Sequence, residues 1–140
     1  MSAEENKANQ RRVWEEAFGK GNLDVIDELF APSYYFKSPL GMEAKGAEGF
    51  KQNLAMMRSA FPDLNISIDD MLAADDKVVT RFTMKGTFTG EMMGIPPTGK
   101  SISVSGIVIT RWESGQEVEA WESIDTLAFY QQLGITPPGE

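Results

Sequence analysis

The stretch Glu117-Val118-Glu119-Ala120-Trp121-Glu122-Ser123-Ile124-Asp125 decides how this chain folds. Successive side chains of a strand point to opposite sides. The alternation therefore puts Val118, Ala120, Glu122 and Ile124 on one face and Glu117, Glu119, Trp121, Ser123 and Asp125 on the other. One carboxylate, Glu122, thus stands in an apolar row. In a closed core such a charge must be protonated or paired with Arg81, Arg111 or Lys37. At the wall of a cavity the same loss of water raises its pKa and makes an acid/base group.

Working outward, Ser114-Gly115-Gln116 is a hairpin turn that joins this strand to a long one, Ser101 to Trp112. The even-numbered face of the long strand carries Ile102, Val104, Gly106, Val108 and Thr110. Further upstream Leu64, Ile66 and Ile68 alternate with polar residues, as do Val78, Thr80, Phe82, Met84 and Phe88 after an Asp75-Asp76 turn. The N-terminal part has the helical period instead. Ser2-Ala3-Glu4-Glu5 is a capping box for a helix carrying Val13, Trp14, Ala17 and Phe18, which stops at Gly19-Lys20-Gly21. Asn22 caps a short second helix through Leu29, with Leu23, Ile26, Leu29 and Phe30 as its buried side. A third, from about Ala47 to Ala60, carries Phe50, Leu54 and Met57 on one stripe with Asn53 beside it.

Tyr34-Tyr35-Phe36-Lys37 is strand-like and closed by Pro39 and Gly41. Leu127 to Leu133 makes a last short helix, and Pro137-Pro138-Gly139 a loose end. Helices followed by a meander of long strands predict an α+β domain over residues 1–140. Its three N-terminal helices pack on a curved, mostly antiparallel sheet, with a pocket at the open end.

Composition narrows the chemistry. The 140 residues contain no cysteine and no histidine, so thiol nucleophiles, disulfides, histidine-based triads and the commonest metal ligands are absent; proton transfer falls to Asp, Glu, Lys or Tyr. With 13 basic against 21 acidic residues the net charge is -8, which speaks against nucleic-acid partners and anionic membranes. No segment approaches membrane-spanning length, and the first residues lack a signal-peptide pattern; a soluble cytoplasmic protein is expected.

Phe61-Pro62-Asp63-Leu64, the loop Met93 to Lys100, the hairpin Arg111 to Gly115, Trp121-Glu122 and Gln131-Gln132-Leu133-Gly134 together resemble the SnoaL-like polyketide cyclases. These belong to the cone-shaped nuclear transport factor 2-like superfamily, and the likeness covers about Asn6 to Gly134. The resemblance implies an aldol-type ring closure on a hydrophobic carbonyl substrate, by proton abstraction, with no metal and no cofactor. It places the catalytic carboxylate on Glu122 and a second one on Asp125. Where family members carry pocket histidines this chain has Val108, Ala120 and Lys37.

Each candidate has a plainer reading. Asp125 serves equally as the cap of the last helix. Lys37 is either an amine at the pocket mouth or a solvated strand end. Trp14, Asn53, Met57, Phe82, Met84, Met92, Met93 and Val108 are wall or core. Tyr34 and Tyr35 are oxyanion donors or packing. The proline-containing loop Gly90–Gly99 either links two strands rigidly or holds Met92 and Met93 over the pocket as a lid. The alternatives to an enzyme are a non-catalytic small-molecule binder or an engineered scaffold of the same fold. A homodimer is expected through the face carrying Glu117, Glu119, Trp121 and Ser123 beside Ile107, Ile109 and Arg111.

Overall fold

The computed structural model describes residues 2–135; the expected loose end at Pro137-Pro138-Gly139 lies outside the described residues. Helix α1, Ala3–Arg12, opens on the capping box, with Ser2 and Glu5 exchanging backbone-to-side-chain bonds of 3.1 Å. It runs on as a π-helical segment, Val13–Gly19, whose wider turn sets the indole of Trp14 and the ring of Phe18 with centroids 5.4 Å apart. Helix α2, Asp24–Leu29, starts one residue later than expected, yet Asn22 still accepts the Asp24 N–H at 3.2 Å. Leu23 is a correction: expected on the buried side, it lies ahead of the helix and is exposed.

Strand β1, Phe30–Lys37, is followed by a short β2, Glu43–Lys45, for which the sequence carries no obvious signal. Then come α3, Gly46–Ala60; β3, Asn65–Ala74; β4, Lys77–Thr87; β5, Ser101–Glu113; β6, Gln116–Ile124; and α4, Thr126–Leu133. The single sheet has the order β2-β1-β6-β5-β4-β3, antiparallel throughout except for β1 beside β6. This is the α+β architecture expected, with helices on the concave face of a curved sheet.

Close packing on β5 requires a glycine at position 106: a Cβ there would lie 2.6 Å from Ile124 Cγ2, 2.8 Å from Phe82 Cζ and 2.8 Å from the Ser123 carbonyl oxygen. The even-numbered residues of β4 and β5 face inward and supply the core, with Phe61, Phe88 and Phe129 closing one end.

Two irregularities shape the other end. In β6, Glu119 pairs with Arg111 but Glu117 pairs with Trp112, leaving Val118 as the extra residue of a β-bulge. In β1, five positions from Phe30 to Tyr35 span what β6 covers from Glu117 to Glu119; Pro32, which has no N–H to give the ladder, sits in that excursion. The bulge overturns part of the strand reading. Ala120, Glu122 and Ile124 face inward as expected, but Glu117, expected on the outer face, turns inward and is only 3 % exposed.

The loop Gly90–Gly99 takes the plainer of its two readings, a fixed connection between strands and not a lid. Met92 is buried in the core and pairs with Ile95, while Thr98 donates to the Leu133 carbonyl at 2.8 Å. The loop is therefore tied down against α4, and none of its residues lines the cavity.

Candidate functional site

Between the helices and the inner face of the sheet lies a cavity of about 130 Å³. Its walls are Val13, Trp14 and Phe18 of the π-helical segment, Phe50, Leu54 and Met57 of α3, and Phe82, Met84 and Val108 of the sheet. Aromatic rings form a continuous belt around it: Trp14 meets Phe82 at 5.1 Å, Phe18 meets Phe50 at 5.6 Å, and Phe30 meets Tyr34 at 4.6 Å. Leu40 and Met42, on the turn between β1 and β2, also line it; Ser38 holds that turn, its N–H donating to the Met42 carbonyl at 2.6 Å.

Of the residues singled out from sequence, Glu122, Trp14, Asn53, Met57, Phe82, Met84 and Val108 line this one space. Three do not. Lys37 is exposed at the end of β1, and Met93 is 44 % exposed on the strand-linking loop. Asp125 is the N-cap of α4, accepting the Ala128 N–H at 3.0 Å, because the strand ends before it and the helix needs an acceptor there. Asn53 is partly engaged: its side-chain amide donates to the Glu43 carbonyl at 3.3 Å and so ties α3 to β2.

Glu122 makes no hydrogen bond or ion pair among the described residues. Its suggested partners are used elsewhere: Arg111 binds Glu119 at 2.7 Å on the outer face, and Arg81 lies 3.8 Å from Asp69. Glu122 is half-buried, and desolvation of its carboxyl with no compensating partner pushes it up to about 7. Glu117 is more deeply buried and is pushed up to about 8, again by desolvation; hydrogen bonding from Tyr34 pulls weakly the other way. Glu117 Oε1 has no partner.

The two tyrosines are also told apart. Tyr34 is buried beside both acids, and desolvation followed by the charges of Glu117 and Glu122 raises its pKa well above the usual phenol value. Tyr35 faces out and donates to Glu43 at 3.1 Å. At the inner end, Trp112 Nε1 donates to Thr110 Oγ1 at 2.9 Å and Thr110 donates to Gln10 Oε1 at 2.8 Å, a buried chain that satisfies itself. Trp14 Nε1, by contrast, is buried without an acceptor. No Lys or Arg lines the cavity, and no cluster of three or more carboxylates suited to a metal ion exists among the described residues.

Helices packed on a curved, unclosed sheet in this order form a nuclear transport factor 2-like α+β domain. The chain belongs to the SnoaL-like polyketide cyclase family, whose model matches residues 8–133. It is 27% identical over 124 residues to the aklanonic acid methyl ester cyclase AcmA of Streptomyces galilaeus, covering 85% of this chain and 84% of that protein. Among solved structures it superposes on TsrD from Streptomyces laurentii with a TM-score of 0.85 at 27% identity, over 97% of this chain and 99% of the other. IdmH from Streptomyces antibioticus gives 0.77 at 27% identity, over 93% and 99%. No helix of the described residues is long and apolar enough to cross a membrane.

Proposed function

We propose that this chain is a cyclase-type enzyme in which Glu122 takes a proton from the carbon next to a carbonyl of a hydrophobic substrate, in an aldol-type ring closure that uses no cofactor. One observation carries the reading: Glu122 is an unpaired, desolvated carboxyl on the wall of an aromatic cavity. A carboxyl held near neutrality is a far stronger base than an ordinary one and is still ionised in part at working pH. In the step, the C–H bond breaks, its proton passes to Glu122, and the electron pair moves onto the carbonyl oxygen. The resulting enolate carbon attacks a second carbonyl of the same molecule, and the new alkoxide receives the proton held by Glu122.

The experiment follows α-hydrogen exchange into deuterated water for a panel of hydrophobic aryl ketones and β-keto esters by NMR. Glu122→Gln is expected to lower exchange about a hundred- to ten-thousandfold while the ketones still bind. Exchange at the wild-type rate in the variant would refute the assignment. Binding without exchange in the wild-type protein would leave a non-catalytic small-molecule binder.

A homodimer through the outer sheet face is part of the same proposal. Ile107 and Trp121, at 46 % and 47 % exposure, stand side by side there, since Ile109 pairs with Trp121 and Ile107 with Ser123. Light scattering at micromolar concentration should give twice the chain mass, and Trp121→Glu should give the single mass. A monomeric wild-type protein would remove this assembly.

A further inference from the structure

The bulge at Val118 brings a second acid to a cavity already provided with one. Glu117 is 3 % exposed, lines the cavity, and its Oε1 has no hydrogen-bond partner. Tyr34 hydrogen-bonds the carboxyl group but Oε1 is left without a partner, and a buried polar oxygen is normally paired, so a ligand is the candidate to pair it. The titratable group beside it is Tyr34 of β1, with Glu122 further along its own strand; among the described residues no Lys or Arg lines the space to hold it as a carboxylate. Desolvated in this way, Glu117 keeps its proton at neutral pH and offers an O–H rather than an anion.

Its placement relative to Glu122 is equally telling. Glu117 pairs with Trp112 and Glu122 with Val108, so the two acids sit four β5 residues apart, about 13 Å along the strand at roughly 3.3 Å per residue. A spacing of that order leaves room for a single ring between the two side chains. The volume agrees: the cavity is about 130 Å³, and an apolar cavity of about 150 Å³ holds one benzene. A second unpartnered donor, Trp14 Nε1, belongs to the same wall.

We propose that Glu117 is a catalytic hydrogen-bond donor: the cavity takes an uncharged, single-ring carbonyl head group oxygen-first, and the carboxylic acid of Glu117 donates to that oxygen while Glu122 faces the carbon beside the carbonyl. This rests on the carbonyl-substrate reading above and adds where the oxygen goes. As the C–H pair moves onto the oxygen, the charge develops against the Glu117 O–H in a water-poor site, where a fixed donor is most effective. No net transfer from Glu117 is required: it keeps its proton, and Glu122 receives the one abstracted. A ligand bearing a free carboxylate is disfavoured, because the lining holds two acids and no cation. A larger substrate would leave its remaining rings at the half-buried rim formed by Leu40, Met42, Met57 and Ile66.

The test uses acetophenone carrying a ¹³C-labelled carbonyl as probe, with the full chain at pH 6. The infrared carbonyl stretch of the bound ketone and its Kd are measured for the wild-type protein, Glu117→Gln and Glu117→Met. Donation by Glu117 predicts a lower carbonyl frequency in the wild-type complex than in Glu117→Met, whose Kd rises about five- to tenfold. Glu117→Gln, which retains an N–H donor, should recover both. A frequency and Kd indistinguishable between wild type and Glu117→Met would overturn the proposal, as would failure of the wild-type protein to bind the ketone. The readout is an equilibrium pose and needs no turnover. Glu122-dependent exchange with an unchanged carbonyl band therefore removes the Glu117 role alone, while a Glu117-dependent band without exchange removes the enzyme reading alone.

Discussion

Replacing Glu117 by Gln should stabilise the protein in alkaline solution and leave it unchanged in acid. The folded state holds this carboxyl at about 8 against an ordinary 4.5, through burial. Because the folded chain binds the proton more tightly than the unfolded one, stability falls as pH rises from 4.5 to about 8 and is flat beyond. Each tenfold change is worth about 1.4 kcal/mol, so the full penalty is about 4 to 5 kcal/mol; relaxation and water entry on ionisation reduce this to about 2 to 4 kcal/mol. A neutral amide of the same shape escapes the penalty. The assay is urea unfolding of both proteins from pH 5 to pH 9. Self-repulsion from the net charge of -8 also destabilises the protein as pH rises, but it acts on both chains alike, so the difference between them isolates position 117. The variant's advantage should grow from near zero at pH 5 to its full value above pH 8. Parallel curves across that range would refute the claim that Glu117 is buried without a charge partner.

Two further outcomes bear on the site. The exchange rate should be bell-shaped in pH, rising as Glu122 ionises near 7 and falling as Glu117 loses its proton near 8. Glu117→Gln should keep the rising limb and lose the falling one, and a variant profile identical to the wild-type one would refute this division of roles. Asp125→Ala should cost about 1 kcal/mol in urea unfolding through loss of the Ala128 N–H bond and leave exchange unaltered. Loss of exchange at unchanged stability would return Asp125 to the site.

Most of the architecture is legible in the chain because period and turn chemistry are local. The capping box at Ser2, the alternation of β4 and β5 and the Ser114-Gly115 turn, both residues at positive φ, are each specified within a few residues. Glu122 is likewise found by parity alone. Glu117 is missed because alternation gives a face only while a strand stays regular. A signal was nevertheless present. A two-residue turn at Ser114-Gly115 pairs Trp112 with Glu117, and Trp112 continues the inward even-numbered face of β5. Glu117 must then face inward, while Ala120 and Glu122 demand the opposite parity. Both conditions hold together only if one residue is extra, and Val118 is that residue. The seat of the Gly90–Gly99 loop, in contrast, depends on a contact between Thr98 and Leu133, 35 positions apart, which no local pattern contains.

A chain without histidine can still present groups that titrate near neutrality, provided it withholds counter-charges from buried acids. The sheet does this by alternation. Thr110, Val108 and Phe82 face the cavity, while Arg111 and Arg81, each next in sequence to one of them, are held on the outer face by Glu119, Glu113 and Asp69. Had either guanidinium pointed inward, the acids would be paired, their pKa values would drop, and neither an O–H donor nor a base poised near 7 would exist. The unpaired state is costly to the fold, because each acid must either hold its proton above the ordinary range or ionise where water is scarce. Two such costs on the wall of one cavity, with no cation lining it among the described residues, are what a purely structural role would remove, and they are the reason for proposing proton transfer here.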